Sequence, residues 1–243
     1  MRLSDRVAVH DAALRQTLGL PLGWLEKPEC HNCRGWFVFL SRAKQEVEVL
    51  RWLLRRTVSS FERQWKYDAS YLQEIIDVSP RAAWRFMSAA RLGSYARDVP
   101  VEALVAAGIT AVRSEDCGPC TQLATAMAEK RGVDPDTLRA ILKDDVAAMP
   151  DDVALAWRFT KAILAHDPAA DDYRAVILER WGPRAVVSLA FAMTTARIYP
   201  TVKYAMGHGK ACTRVVVGGA PVVVDRHATS QAWDLASGRV AMR

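Results

Sequence analysis

Cysteine is scarce in this chain: five among 243 residues, at Cys30, Cys33, Cys117, Cys120 and Cys212. An odd and small number argues against a structural disulfide framework and favours catalytic or redox use. The opening Met1-Arg2-Leu3-Ser4-Asp5-Arg6 is followed by no apolar signal core, so the expected location is cytoplasmic. No apolar run approaches the roughly 20 residues of a spanning helix, so no membrane span is expected. There is no RNP sequence, zinc-finger spacing or recognition helix, and nucleic-acid binding is not expected. Strand signals are confined to the last thirty or so residues. What remains is the composition of an ordinary globule, 25% charged and 51% apolar. The net charge of +6 is uneven, because residues 1–66 hold twelve Lys/Arg against seven Asp/Glu.

The first forty residues, broken by Gly19, Pro21, Gly23, Pro28 and Gly35, read as an irregular extension, with its boundary at residue 45. From about Arg42 the pattern is helical. Val47, Leu50, Leu53, Leu54, Val58, Phe61 and Trp65 share one stripe and Arg51, Arg55, Arg56 and Arg63 the opposite one. Further helices are predicted over 69–76, 80–92, 100–112, 117–131, 134–147, 150–165 and 171–181. A long apolar helix opens at Pro183, breaks at Pro200 and resumes to Met206. Thr213–Val217 and Val222–Asp225, flanking Gly218-Gly219-Ala220-Pro221, read as a small hairpin. The expected architecture is all-α with that hairpin, a domain over 46–230 and a tail over 231–243.

The chemistry concentrates in Cys117-Gly118-Pro119-Cys120, between two helical stretches. Two intervening residues at a helix start keep the thiols within disulfide reach, and free amides there favour a thiolate on the leading cysteine. Cys117 is the expected attacking thiolate and Cys120, one turn inside, the resolving thiol. Pro119 suits a first helical turn and Gly118 a tight entry. A buried apolar pair or half of a metal site is the alternative. The string matches thioredoxin, but Asp116 stands before Cys117 and no βαβ pattern surrounds it, so that fold is excluded.

The wider stretch Ser114-Glu115-Asp116-Cys117-Gly118-Pro119-Cys120-Thr121-Gln122-Leu123 resembles the carboxymuconolactone decarboxylase superfamily, on its alkylhydroperoxidase D-like side. The likeness spans residues 50–225 and takes in Tyr199-Pro200-Thr201-Val202-Lys203-Tyr204 and Gly207-His208-Gly209. It implies a helical bundle, a homo-oligomer, and a thiol-dependent peroxidase or disulfide oxidoreductase without metal or organic cofactor. The partners implied are a small-molecule hydroperoxide and a thiol reductant. It also implies a proton relay from a glutamate twelve residues before the first cysteine and a histidine four after the second. Here those positions hold Val105 and Ala124. A silent scaffold or binding protein with a passive thiol pair is the rival expectation.

Substitutes for the relay are local or distant. Glu115 is the expected proton acceptor, although Glu115 and Asp116 would also raise the thiol pKa by repulsion, or simply cap the helix. Arg113 would offset that repulsion. His208 is a second candidate base, and His166 a weaker one, though both read more readily as helix ends. Cys30 and Cys33 with Cys117 and Cys120 would make a zinc tetrad, against the reading of an exposed vicinal pair. Trp157 and Trp181 read as core.

Overall fold

A computed structural model describes residues 33–210 and 214–224. The chain divides into two compact units, residues 1–48 and 49–243. Of the first, only the helical residues from Cys33 onward are described, so Cys30 and residues 1–32 of the irregular extension expected over 1–45 lie outside the described residues, as do Cys212 and the tail, while residues 33–45 are helix rather than irregular. The first helix, α1 (Cys33–Trp65), begins nine residues before the sequence pattern suggested. Gly35 does not stop it, since one glycine costs a helix only about 1 kcal/mol.

The elements that follow are α2 (Ser70–Val78), α3 (Pro80–Ser88), α4 (Ala90–Gly93), α5 (Val101–Ser114), α6 (Gly118–Lys130), α7 (Pro135–Lys143), α8 (Asp151–Ala165), α9 (Ala170–Trp181) and α10 (Pro183–Ala205). A hairpin of β1 (Arg214–Val217) and β2 (Ala220–Val223) closes the described chain. The fold is all-α with this hairpin. Starts are encoded locally. Ser79 accepts from the amide of Ala82 with Pro80 in the first turn, and Asp134 accepts from Thr137 with Pro135 behind it. Asp144 ends α7 and His166 ends α8, both in the left-handed conformation. His166 is thus a helix terminator, as the plainer of its two readings had it.

α5 is the hub. Its Ala103, Ala106, Ala107 and Ala111 are fully buried, and their small side chains let α8 pack closely through Val153, Ala156 and Phe159. Leu138, Ile141 and Leu142 of α7 are also fully buried, each contributing about 2 kcal/mol of apolar burial. Ala185, Leu189 and Met193 bring α10 onto the same core. Among the described helices α10 alone is long and apolar enough to cross a membrane, where the sequence pattern suggested none; its Ala185, Leu189 and Met193 belong to the core it shares with α5. A second cluster gathers Leu54 and Val58 of α1 with Tyr67, Ala69, Tyr71, Leu72, Ile76 and Ala83.

Two expected breaks fall differently. The helix predicted over 80–92 divides into α3 and α4 around Ala89. Conversely α10 runs unbroken through Pro200, which is buried. A proline removes one i to i−4 hydrogen bond, and packing on both sides of Pro200 outweighs that loss. The hairpin turn is the two-residue Gly218-Gly219, both at positive φ, as a type I′ connection requires. Val215 and Val217 face the core, and the Gln122 side chain both donates to and accepts from the Val216 backbone, fixing β1 against α6.

Candidate functional site

Cys117 and Cys120 are joined as a disulfide across the first turn of α6, their Cα atoms 5.3 Å apart. They sit against Val112 of α5, with Ala124 and Ala196 packed alongside. The two sulfurs are not equivalent. Cys117 is completely buried, whereas Cys120 retains 6% exposure and lines a cavity of about 540 Å³.

That cavity is walled by seven helices and is predominantly apolar, with Phe61 and Val58 from α1, Leu72 from α2 and Met87 from α3 among its lining. From α6 the lining residues Cys120, Leu123, Ala124, Met127 and Ala128, with Arg131 just past its end, recur at helical spacing, so the cavity follows α6 along its length. Gly108 contributes from the middle of α5. A Cβ there would meet nothing within 4 Å, so packing does not demand glycine. Alanine would favour the helix by about 1 kcal/mol, and what glycine provides at 108 is open volume. A cavity of this size and character suits a small apolar molecule.

Behind Cys120 stands a polar arrangement that sequence reasoning did not single out. The Tyr67 hydroxyl lies 3.8 Å from Cys120 Sγ. Lys203 Nζ donates to that hydroxyl and to the Asp68 carbonyl, both at 3.3 Å. The ammonium also lies 4.5 Å from the ring centre of Tyr67 and 5.4 Å from that of Tyr71, within cation–π range. Lys203 is 1% exposed, and among the described residues no carboxylate forms an ion pair with it, Asp68 acting on it only at longer range. Burial pushes its pKa down, with nearby Asp68 opposing. Burial also pushes the Tyr67 hydroxyl up, against a hydrogen bond from Tyr71, and raises Tyr71 and Tyr199. In sequence Lys203 stood only within the Tyr199–Tyr204 stretch of the resemblance, with no role attached, and nothing marked Tyr67. They are 136 residues apart, and no local spacing connects them.

No protein-family model, no curated protein and no solved structure matches the chain. Function is therefore read from side-chain geometry.

The approach to the disulfide is held by α10 and the segment beyond it. Tyr204 donates to the Asp116 carbonyl at 2.8 Å, and the amide of Gly118 donates to the Lys210 carbonyl at 2.9 Å. This bears on Cys117. Of the first four residues of α6, Gly118 has given its amide to Lys210, Pro119 has none, and Thr121 bonds back to the Cys117 carbonyl. Only the Cys120 amide is left to favour a thiolate on Cys117, fewer than the helix-start argument assumed.

The remaining sequence candidates are placed as follows. Glu115 ends α5, its carboxylate 2.5 Å from Arg197 Nε of α10, so its charge is committed to a guanidinium. Arg113 does not offset the acidic pair. It is buried and turned to the other side, donating to the Ile141 carbonyl at 2.9 Å and to Asp144 at 2.8 Å. Burial raises the Asp144 pKa, but the hydrogen bond and charge of Arg113, with Lys161 and Trp157, outweigh it and hold the carboxyl below its usual range. His208 is engaged away from the thiols, its ring nitrogens 3.1 Å from Ser70 Oγ and 2.9 Å from Glu74 Oε2. Val105 and Ala124, where the resemblance puts its relay, both line the cavity. The zinc reading requires Cys30, outside the described residues; Cys33 is the first residue of α1. Trp157 and Trp181 pack against the main core, as expected.

Proposed function

We propose that this chain is a thiol-dependent peroxidase of the alkylhydroperoxidase D-like kind, cycling Cys117 and Cys120 between dithiol and disulfide. The observation that carries the reading is a cysteine pair bonded across a helix start with one sulfur in the wall of an apolar cavity. Val105 and Ala124 facing that cavity support the resemblance, since they are the positions a relay would occupy. The attacking role goes to Cys120 in this reading. It lines the cavity and Cys117 is sealed from it, an order opposite to the one the helix-start argument gives.

The Cys120 thiolate attacks the distal oxygen of an organic hydroperoxide. The O–O bond breaks, the leaving alkoxide takes a proton and departs as an alcohol, and Cys120 becomes a sulfenic acid. Cys117 then attacks that sulfur, forming the disulfide and releasing water. An external dithiol reduces the disulfide by exchange and is itself oxidised.

The test is turnover of cumene hydroperoxide by reduced protein with excess dithiothreitol. Wild type is expected to exceed the dithiol alone, Cys120→Ser to fall to background, and Cys117→Ser, whose sulfenic acid only the external dithiol can reduce, to fall below wild type. Wild-type turnover equal to free dithiol would overturn the peroxidase reading and leave the silent scaffold.

A further inference from the structure

We propose that Tyr67 and Lys203 form the acid–base device of the Cys120 thiol, with Tyr67 donating its hydroxyl proton in a hydrogen bond to the thiolate and Lys203 supplying the compensating charge behind it. The proposal rests on Cys120 being the reacting sulfur of a redox pair.

The geometry is a file of three groups: Cys120 Sγ, the Tyr67 hydroxyl at 3.8 Å, and Lys203 Nζ a further 3.3 Å on. In the disulfide state Cys120 is neutral, and the file ends in an ammonium with only neutral hydrogen-bond partners. A buried cation whose nearest carboxylate, that of Asp68, acts on it only from beyond ion-pair distance is costly to a fold, and such groups gather where function uses them. Reduction supplies the missing anion. When the disulfide takes up two electrons and one proton, the proton goes to Cys117 and Cys120 is left as thiolate. The phenol then donates to sulfur and accepts from the ammonium, and the pair of charges is neutral overall. Lys203 therefore favours the reduced state over the oxidised one and lowers the pKa of the thiol it serves.

The other titratable groups facing this file are accounted for. Asp68 and Tyr71 come from the α1–α2 connection and α2, Tyr199 from α10, and Lys210 from beyond α10. Asp68 already has Ser70 as a hydrogen-bond donor and lies 3.9 Å from Lys210, which draws its charge outward. The phenols of Tyr71 and Tyr199 stay protonated, because burial raises both. α6 itself contributes no charged side chain to the cavity before Arg131, at its far end. Lys203 is thus the one buried cation, among the described residues, that the thiolate can draw on.

Two measurements test this, neither requiring peroxide. The first is the pH dependence of Cys120 alkylation by iodoacetamide in the fully reduced full-length chain, read by mass spectrometry on the peptide carrying Cys120. The second is the equilibrium of the Cys117–Cys120 disulfide with glutathione. Tyr67→Phe and Lys203→Met are each expected to raise the apparent pKa of Cys120 by about one unit, a tenfold loss of thiolate at neutral pH. Each should also shift the equilibrium about tenfold toward disulfide, a potential lower by about 30 mV. Lys203→Arg, keeping the charge, is expected to keep more of the wild-type profile than Lys203→Met. Tyr67→Phe keeps the ring and guards against loss of fold, with circular dichroism as the check. Wild-type profiles and equilibria in folded Tyr67→Phe would overturn the proposal, whether or not the protein consumes hydroperoxide. A shifted profile in a chain without peroxidase activity would support the device and overturn only the assigned reaction.

Discussion

Two buried cations, Arg113 and Lys203, are handled in opposite ways. Arg113 is matched by Asp144, which Trp157 and Lys161 also hold. Asp144→Asn is expected to cost about 3 kcal/mol, since it leaves a buried guanidinium unpaired, and urea unfolding checks it. Because Asp144 titrates below its usual range when folded, the stability it contributes is present above pH ~4 and is lost as pH falls through the folded value. Lys203 gives a slope of the same sign for a different reason, a charge penalised by burial rather than one favoured by a partner. Its folded pKa lies below the unfolded one, so in the oxidised protein the folded chain binds fewer protons and stability rises with pH. That rise is expected on the alkaline side as pH climbs from the lowered folded value toward the ordinary lysine value of about 10.4, with unfolded phenols near pH ~10 opposing its upper end, and it should flatten in Lys203→Met. The cysteine pair was legible because its chemistry lies in a four-residue string. Tyr67 and Lys203 were not, because a lysine becomes unusual only once its burial is known.

Single elements carry the next set of constraints. The segment after α10 clamps the entry to α6, and Gly209 is where that clamp is tight: a Cβ there would collide with the Tyr204 ring. Gly209→Ala is expected to cost about 2 kcal/mol by overpacking and, by displacing Tyr204 from the Asp116 carbonyl, to speed alkylation of reduced Cys117. Thermal unfolding and peptide-resolved alkylation check the two halves. Gly108→Ala should do the opposite to stability, adding about 1 kcal/mol to α5 because the space is open. Helix starts and the hairpin were readable from Ser79-Pro80, Asp134-Pro135 and the β-branched runs around Gly218-Gly219. The course of α10 through Pro200 was not, since a proline's local cost says nothing of the packing that outweighs it.

At the scale of the molecule, the all-α class was visible because helical periodicity covers most of the chain and strand signals wait until its end. The cavity was invisible. Its walls come from α1 to α6 and α10, and most lining residues taken alone are ordinary apolar positions. An apolar ligand that fills it should stabilise the fold by mass action, about 2.7 kcal/mol at a hundredfold excess over Kd. Cumyl alcohol, the product of the assigned reaction, is expected to raise the Tm of wild type and not of Gly108→Leu, whose side chain projects into the cavity.

The most direct test of the central claim is a single turnover. Fully reduced protein is mixed with one equivalent of cumene hydroperoxide and quenched with an alkylating agent, and the peptide carrying Cys117 and Cys120 is weighed. One disulfide formed for each cumyl alcohol released, with Cys120 sulfenic acid trapped in Cys117→Ser, is the result the account predicts. A peptide recovered as dithiol while the hydroperoxide persists would contradict it.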